Sequence, residues 1–440
     1  MAVIGLCLTA CAQRIPDGPA DPYTLGAQPP APVLGAALPA GGTTYSNGSL
    51  ARLFVRLTHD LEWGASRPHL VRYEGPVRVQ MRGRGRQGYR QFLDDFLGQL
   101  RQRAGVQISR APGNANLVIR FVPGNDYKRA VPQHFCLVAP GLISWERFRQ
   151  DPVRFGTRPY ETQRTMEGMT VFLPDNAEPY LVRHCLIEEI TQALGPVNDL
   201  YGLGPSIFND DAAHIWPTQL DYLMLRVLYA PEIRSGLDRS QTYARALTVL
   251  NRENPAGRSA PALPRLLGAG MDRWRAEVRL AFDRTRSLSR RIRHAKQAVQ
   301  IAARRAPQSA YHCRALVTLA RLARTELDTA LSAANTAGRV CRRAHGPGDI
   351  RMARLALDRA RVLYEAKDYT NALAAVEGAE TVLAAHGQDE RLMALYALRA
   401  GAYRAIQQGT RSLEERRKAG AWGAYALGRN HPNVRRWQVE

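Results

Sequence analysis

The sequence is poor in lysine, in long apolar runs and, past residue 264, in proline. No stretch of 18 or more apolar residues occurs in its 440 positions, which excludes a membrane-spanning helix. Only four of the 61 basic side chains are lysines: Lys128, Lys296, Lys367 and Lys418. A preference for Arg on this scale, beside abundant Ala, Gly and Pro, is the composition of a GC-rich genome. The net charge of +22 therefore permits an anionic partner without requiring one. Hydrophobic residues make up 45% and charged residues 23%, the mixture of an ordinary soluble globular chain. That excludes a disordered, collagen-like or polytopic membrane protein. The length predicts two to four domains. The charge is uneven: residues 261–440 hold 33 basic and 16 acidic side chains, a net of +17, and the first 260 hold 28 and 23, a net of +5.

The first ten residues also lack a basic side chain. Met1–Ala10 is a short apolar run ending in Leu8-Thr9-Ala10-Cys11, a tetrapeptide that resembles a bacterial lipobox. The resemblance implies acylation of Cys11, and the missing basic region implies a truncated signal (1–11). Several acyl chains on one cysteine anchor stably where one binds only marginally. Ala12 rather than Asp after the cysteine implies a periplasmic protein anchored to the outer membrane. The plain alternative is a frayed apolar end. Residues 12–49 are rich in Pro, Ala and Gly without an apolar period and read as a tether, about 30–35 Å long as a coil.

Six cysteines occur. With Cys7 lost in the signal and Cys11 acylated, four remain: Cys136, Cys185, Cys313 and Cys341. An oxidising compartment permits two disulfides. Cys313 and Cys341 lie symmetrically about residue 327, near an expected turn between antiparallel helices, so they face each other. Cys136–Cys185 follows by elimination. Four buried free thiols remain the alternative.

Residues 50–250 alternate element types. Val77–Met81, Asn116–Val122 and Met169–Leu173 read as strands. Tyr89–Gln102, Pro179–Leu194 and Thr218–Tyr229 read as helices, the second ended by Gly195-Pro196. This predicts an α/β or α+β domain. The second helix carries His184-Cys-Leu-Ile-Glu188-Glu189-Ile-Thr-Gln192-Ala-Leu-Gly195-Pro-Val-Asn198-Asp199. It is similar to the metzincin pattern H-E-x-x-H-x-x-G-x-x-H. The resemblance puts the general base at Glu189 and the three zinc ligands at Glu188, Gln192 and Asn198. It implies a zincin-like domain whose ligands have been replaced, because neutral amide oxygens are poor zinc donors. Without metal, Glu189 cannot generate a nucleophilic water at neutral pH. A bland reading stands beside it: a solvated Glu188–Glu189 face with Gly195 as a helix stop. The catalytic alternative is a peptidase with unusual ligands. His184 and Glu188 share a helix face and would hold a metal with Asn198, Asp199 or His214.

The same string, with Ser206-Ile207-Phe208-Asn209-Asp210 and Leu223-Met-Leu-Arg-Val-Leu-Tyr229, resembles domain of unknown function 2927 over roughly residues 45–240. Its members include proteobacterial lipoproteins without an assigned activity. The resemblance supports the lipobox and, by implication only, a disulfide at Cys185.

Residues 251–264 form a polar, Pro-containing hinge. Beyond it Ala, Leu and Arg dominate, as in packed helices. Gly346, Gly387 and Gly428 are spaced 41 residues apart, each followed by a polar turn. Asp368-Tyr369, Ala372 and Ala379 between them resemble the tetratricopeptide repeat in a long-helix form, and Gly428-Arg-Asn-His431-Pro432 fits that form. Residues 265–440 are therefore expected to stack as helical hairpins that bind protein partners in a groove. A generic helical bundle is the alternative. Met271–Arg305 carries 11 basic and three acidic side chains. Arg290, Arg291, Arg304 and Arg305 mark a face for an anionic envelope component, or simply a solvated one. No nucleic-acid motif occurs. The expectation is an α+β protein, a zincin-like domain followed by an all-α solenoid. It would act as a non-catalytic scaffold without a cofactor, zinc being the one alternative.

Overall fold

The computed structural model describes residues 45–62, 64–132, 134–209, 213–262 and 271–438. The Cys11 lipobox, nearly all of the expected tether, Asp210 and the end of the expected hinge lie outside these residues.

The first half is built on five strands: β1 Val77–Arg82, β2 Ile108–Arg110, β3 Leu117–Val122, β4 Leu137–Pro140 and β5 Met169–Pro174. Their order is β2-β1-β3-β5-β4. The pairs β1–β2, β1–β3 and β3–β5 are parallel, and β4 runs antiparallel on the edge. Strand β5 is buried from Met169 to Leu173 because both sheet faces are covered. Met169, Val171 and Leu173 join the main core with Leu117, Ile119 and Phe121 of β3. Phe172 points the other way and packs with Trp145 and Phe148.

Helices α1 Asn47–His59, α2 Arg90–Ala104, α6 Pro179–Ala193, α7 Gln219–Leu228 and α8 Arg239–Glu253 close the main core. Three short helices, α3 Gly124–Ala130, α4 Trp145–Phe148 and α5 Arg158–Thr162, lie between strands. The expected strands and helices are found within two residues of their ends. Helix α7 starts on a reciprocal capping box, Thr218 with Asp221.

Helices α1 and α8 correct the expected boundaries. The Ser46 side chain caps α1, so the domain begins inside the segment expected to be tether. Leu50, Leu53, Phe54 and Leu57 fall at helical spacing and are all buried; this signal was present in the sequence. The expected hinge is mostly stitched down. Asn47 Nδ2 donates to Asn251 Oδ1 at 2.9 Å and to the Asn254 carbonyl at 3.0 Å, and Asn254 Nδ2 donates back to Asn47 Oδ1 at 2.9 Å.

The second half is helical: α9 Asp272–Phe282, α10 Leu288–Arg305, α11 Ala310–Leu322, α12 Leu327–His345, α13 Ile350–Glu365, α14 Tyr369–Ala375, α15 Ala379–Ala385, α16 Asp389–Ala405, α17 Gly409–Leu427 and α18 Pro432–Gln438. From α9 to α13 each helix packs on the next, α14 and α15 both pack on α13, and α16 pairs with α17. The three periodic glycines each follow a helix and adopt positive φ: 89° at Gly346, 63° at Gly387 and 89° at Gly428. Cys313 on α11 and Cys341 on α12 form a disulfide, as does Cys136 with Cys185.

The halves share buried contacts. Tyr201 stacks in a tilted cluster with Trp274 and Tyr311. Gln388 Nε2 donates to the Ala213 carbonyl at 3.0 Å. Arg183 of α6 pairs with Asp389 of α16 at 2.8 Å, donates to the Tyr425 carbonyl and lies over the Tyr425 ring.

Candidate functional site

Helix α6 holds the sequence-singled residues. Its end is set by Gly195, whose φ is 139°. A Cβ there would stand 2.9 Å from Leu228 Cδ2 and 3.3 Å from the Val71 carbonyl, so close approach as well as φ selects glycine. The buried Arg67 donates to the Gly195 carbonyl at 2.9 Å and to the Thr58 carbonyl at 3.0 Å. It thereby binds the C-terminal ends of α6 and α1, where carbonyls lack helical partners. Nothing in the sequence pattern marked Arg67 for this.

The three positions aligned with metal ligands are engaged elsewhere. Gln192, 7% exposed, donates through Nε2 to Asp199 Oδ1 at 3.2 Å. Asn198, 5% exposed, donates to the Arg56 carbonyl at 3.1 Å. Glu188 lies 3.5 Å from His184 Nε2. Burial, with a lesser push from Arg354, lowers His184 to about 4, so the imidazole is neutral at pH 7 and the contact is a polar contact rather than an ion pair. His214 lies edge-on to His386 at 5.7 Å in the interface between the halves.

Among the described residues, one group of three His, Cys, Asp or Glu side chains gathers its ligand atoms within 4.8 Å: Cys136, Glu188 and Glu189. Its sulfur is bonded to Cys185 and offers no thiolate. Among the described residues His184 and Glu188 do not gather with Asp199 or His214 within that distance. Two carboxylates without an imidazole or thiolate do not fit a zinc site.

Glu189 is buried. Burial first, then the charges of Glu188 and Glu62, push its carboxyl well above the usual range. Burial also raises the neighbouring phenols Tyr127 and Tyr160, and Glu189 adds to both shifts. Tyr160 Oη donates to the Val138 carbonyl of β4 at 3.0 Å. A carboxyl raised in this way holds its proton more tightly than an exposed glutamate does. The disulfide fastens the start of β4 to α6 beside it. Tyr127, Tyr160 and Glu62 were not legible as neighbours, since they come from separate loops and short helices.

The four arginines expected to mark an anionic face all lie on α10. Arg290, Arg304 and Arg305 are exposed. Arg291 instead donates through Nε to the Ala281 carbonyl at the end of α9, at 2.9 Å.

Residues 47–247 match the model of a family described as a protein of unknown function, DUF2927. No curated protein matches the chain.

Proposed function

We propose that this chain is an envelope lipoprotein anchored through Cys11, working as a non-catalytic binding or scaffold protein. Its first half is read as a degenerate zincin-like domain and its second as tetratricopeptide-like repeats that hold a protein partner. The observation that carries the non-catalytic reading is the use of the ligand-aligned positions. Gln192 and Asn198 are spent on structural hydrogen bonds, and burial pushes the Glu189 carboxyl well above the usual range. The zincin reading is supported by a largely parallel sheet with an antiparallel edge strand, followed by the α6 helix with its Gly195 turn. The repeat reading is supported by paired long helices and by three glycines at equal spacing, each ending a helix. The alternative, a metal-dependent peptidase with Glu189 as base, is decided by one experiment. Zinc is quantified in the purified chain, and casein digestion is compared with Glu189→Gln. The expected result is substoichiometric zinc and no cleavage by either protein. Stoichiometric zinc with Glu189-dependent cleavage overturns the proposal. Acyl labelling of Cys11 that globomycin blocks is the expected sign of the anchor, and its absence removes that part.

A further inference from the structure

A cleft of about 430 Å³ opens in the first half at the carboxyl ends of β1 and β2 and the start of α2. Ligands of open α/β sheets bind at this end of the strands. Arg82, Arg86, Arg90 and Arg110 line it with Gln80 and Gly83, and no carboxylate does. Arg110 is already neutralised, because Asp94 grips it with two bonds of 2.8 Å. The other three are not. Arg82 donates to the neutral Gln80 Oε1 at 2.6 Å and Arg86 to the Gly83 carbonyl at 2.6 Å. Among the described residues neither these two nor Arg90 has an acidic partner. Arg120 on β3 is close enough for its charge to oppose that of Arg82, and Glu146 offsets part of it.

The wall that carries these arginines is rigid. Gly83 has φ 100°, and a Cβ there would collide with the Phe121 carbonyl. The turn therefore sits directly against β3. Gln80 ties β1 to the loop after β2 through the Pro112 carbonyl. Tyr89, the residue before α2, provides no side-chain cap, and the first turn of α2 holds no acidic residue. The helix end adds positive potential on the same side.

We propose that this cleft binds a phosphate group, either on a soluble phosphate compound or on a lipid headgroup. Three guanidinium charges converge without a counter-ion on a fixed frame. Planar guanidinium forks match the several acceptor oxygens of a phosphate better than the two of a carboxylate. The site is separate from the α6 cluster and does not depend on the function proposed above.

The test titrates the full chain calorimetrically with inorganic pyrophosphate and glucose 6-phosphate. Acetate at matched ionic strength serves as the comparison. In parallel it measures sedimentation with phosphatidylcholine vesicles with and without phosphatidic acid. The variant is Arg86→Gln with Arg90→Gln, and Arg290→Gln with Arg304→Gln controls for the overall charge. The variant side chains are at the surface, and unchanged melting curves verify their folding. The expected result is saturable binding of at least one phosphate probe but not acetate, weakened tenfold or more by the cleft variant and unaltered by the control. Soluble probes alone identify a free phosphate ligand, and vesicles alone a headgroup. No binding of any phosphate probe overturns the proposal. So does binding that both double variants weaken equally, which would be a property of the net charge.

Discussion

Burial pushes the Glu189 carboxyl well above the usual range, and this has a direct consequence for stability. A carboxyl raised on folding stabilises the native state fully below its unfolded pKa of 4.5. The contribution is lost as pH rises through the raised native value. In Glu189→Gln the amide matches the protonated acid in shape and cannot ionise. The variant is therefore expected to melt with the wild type near pH 4.5 and above it at about pH 8, by an increment that grows with pH. Melting temperatures at stepped pH check this, and a pH-independent difference refutes it. Asp221 illustrates the opposing forces. Burial pushes it up to about 6, although Ser206 at 2.5 Å and the backbone N–H groups of Thr218 at 2.7 Å and Ile207 at 3.1 Å all hold its charged form. In the sequence it stands only as a position within the expected helix Thr218–Tyr229; its burial and its link to Ser206 belong to the folded chain.

Elements whose signals are local were readable in advance. Strands β1, β3 and β5 declare themselves by β-branched residues between turn residues. Helices α2, α6 and α7 do so by apolar spacing and Pro or Gly stops. Strand β2, with three residues, and β4, with four, are too short for a period to show; pairing with β1 and β5 defines them. Helix α1 carries its own apolar spacing, but its start falls within the Pro- and Gly-rich stretch expected to be tether. The edge strand β4 depends on more than its ladder, since Cys136 at its start is bonded to Cys185 on α6, 49 residues along the chain. In the chain-entropy account a loop of that size is worth about 4 kcal/mol. Cys136→Ala with Cys185→Ala is expected to lower stability by about 2–5 kcal/mol, read as a lower denaturant midpoint. A midpoint unchanged from the wild type would show that β4 is held without the disulfide.

On the scale of the whole molecule, the two halves meet through a buried ion pair. Arg183 is 3% exposed and Asp389 7%. Burial lifts the Asp389 carboxyl despite the pull of Arg183; at Arg183 burial is the largest single effect, and Asp389 with Tyr425 and Tyr89 together outweighs it. We read the pair as ionised, because a guanidinium does not give up its proton. Asp389→Ala leaves that charge buried without its partner and is expected to cost about 3–5 kcal/mol. Arg183→Met with Asp389→Leu replaces both charges by apolar volume and is expected to cost much less. Thermal unfolding of both variants tests this, and equal losses would refute it. The charge distribution also takes spatial form at this scale. Most of the excess lies on the helical half, yet the arginines of the first half concentrate three unpaired charges in one cleft.

The amino-acid sequence alone determined the α+β character, the helical second half with its glycine period, and the absence of histidine at positions 188, 192 and 198. These follow from residue type and spacing, which act locally. The tertiary structure decided what those positions do. It spent Gln192 and Asn198 on structural bonds, surrounded Glu189 with Tyr127, Tyr160 and Glu62, oxidised Cys136, and gathered Arg82, Arg86 and Arg90 around one opening. Each depends on burial and on distances between segments far apart in the chain, which no local pattern encodes.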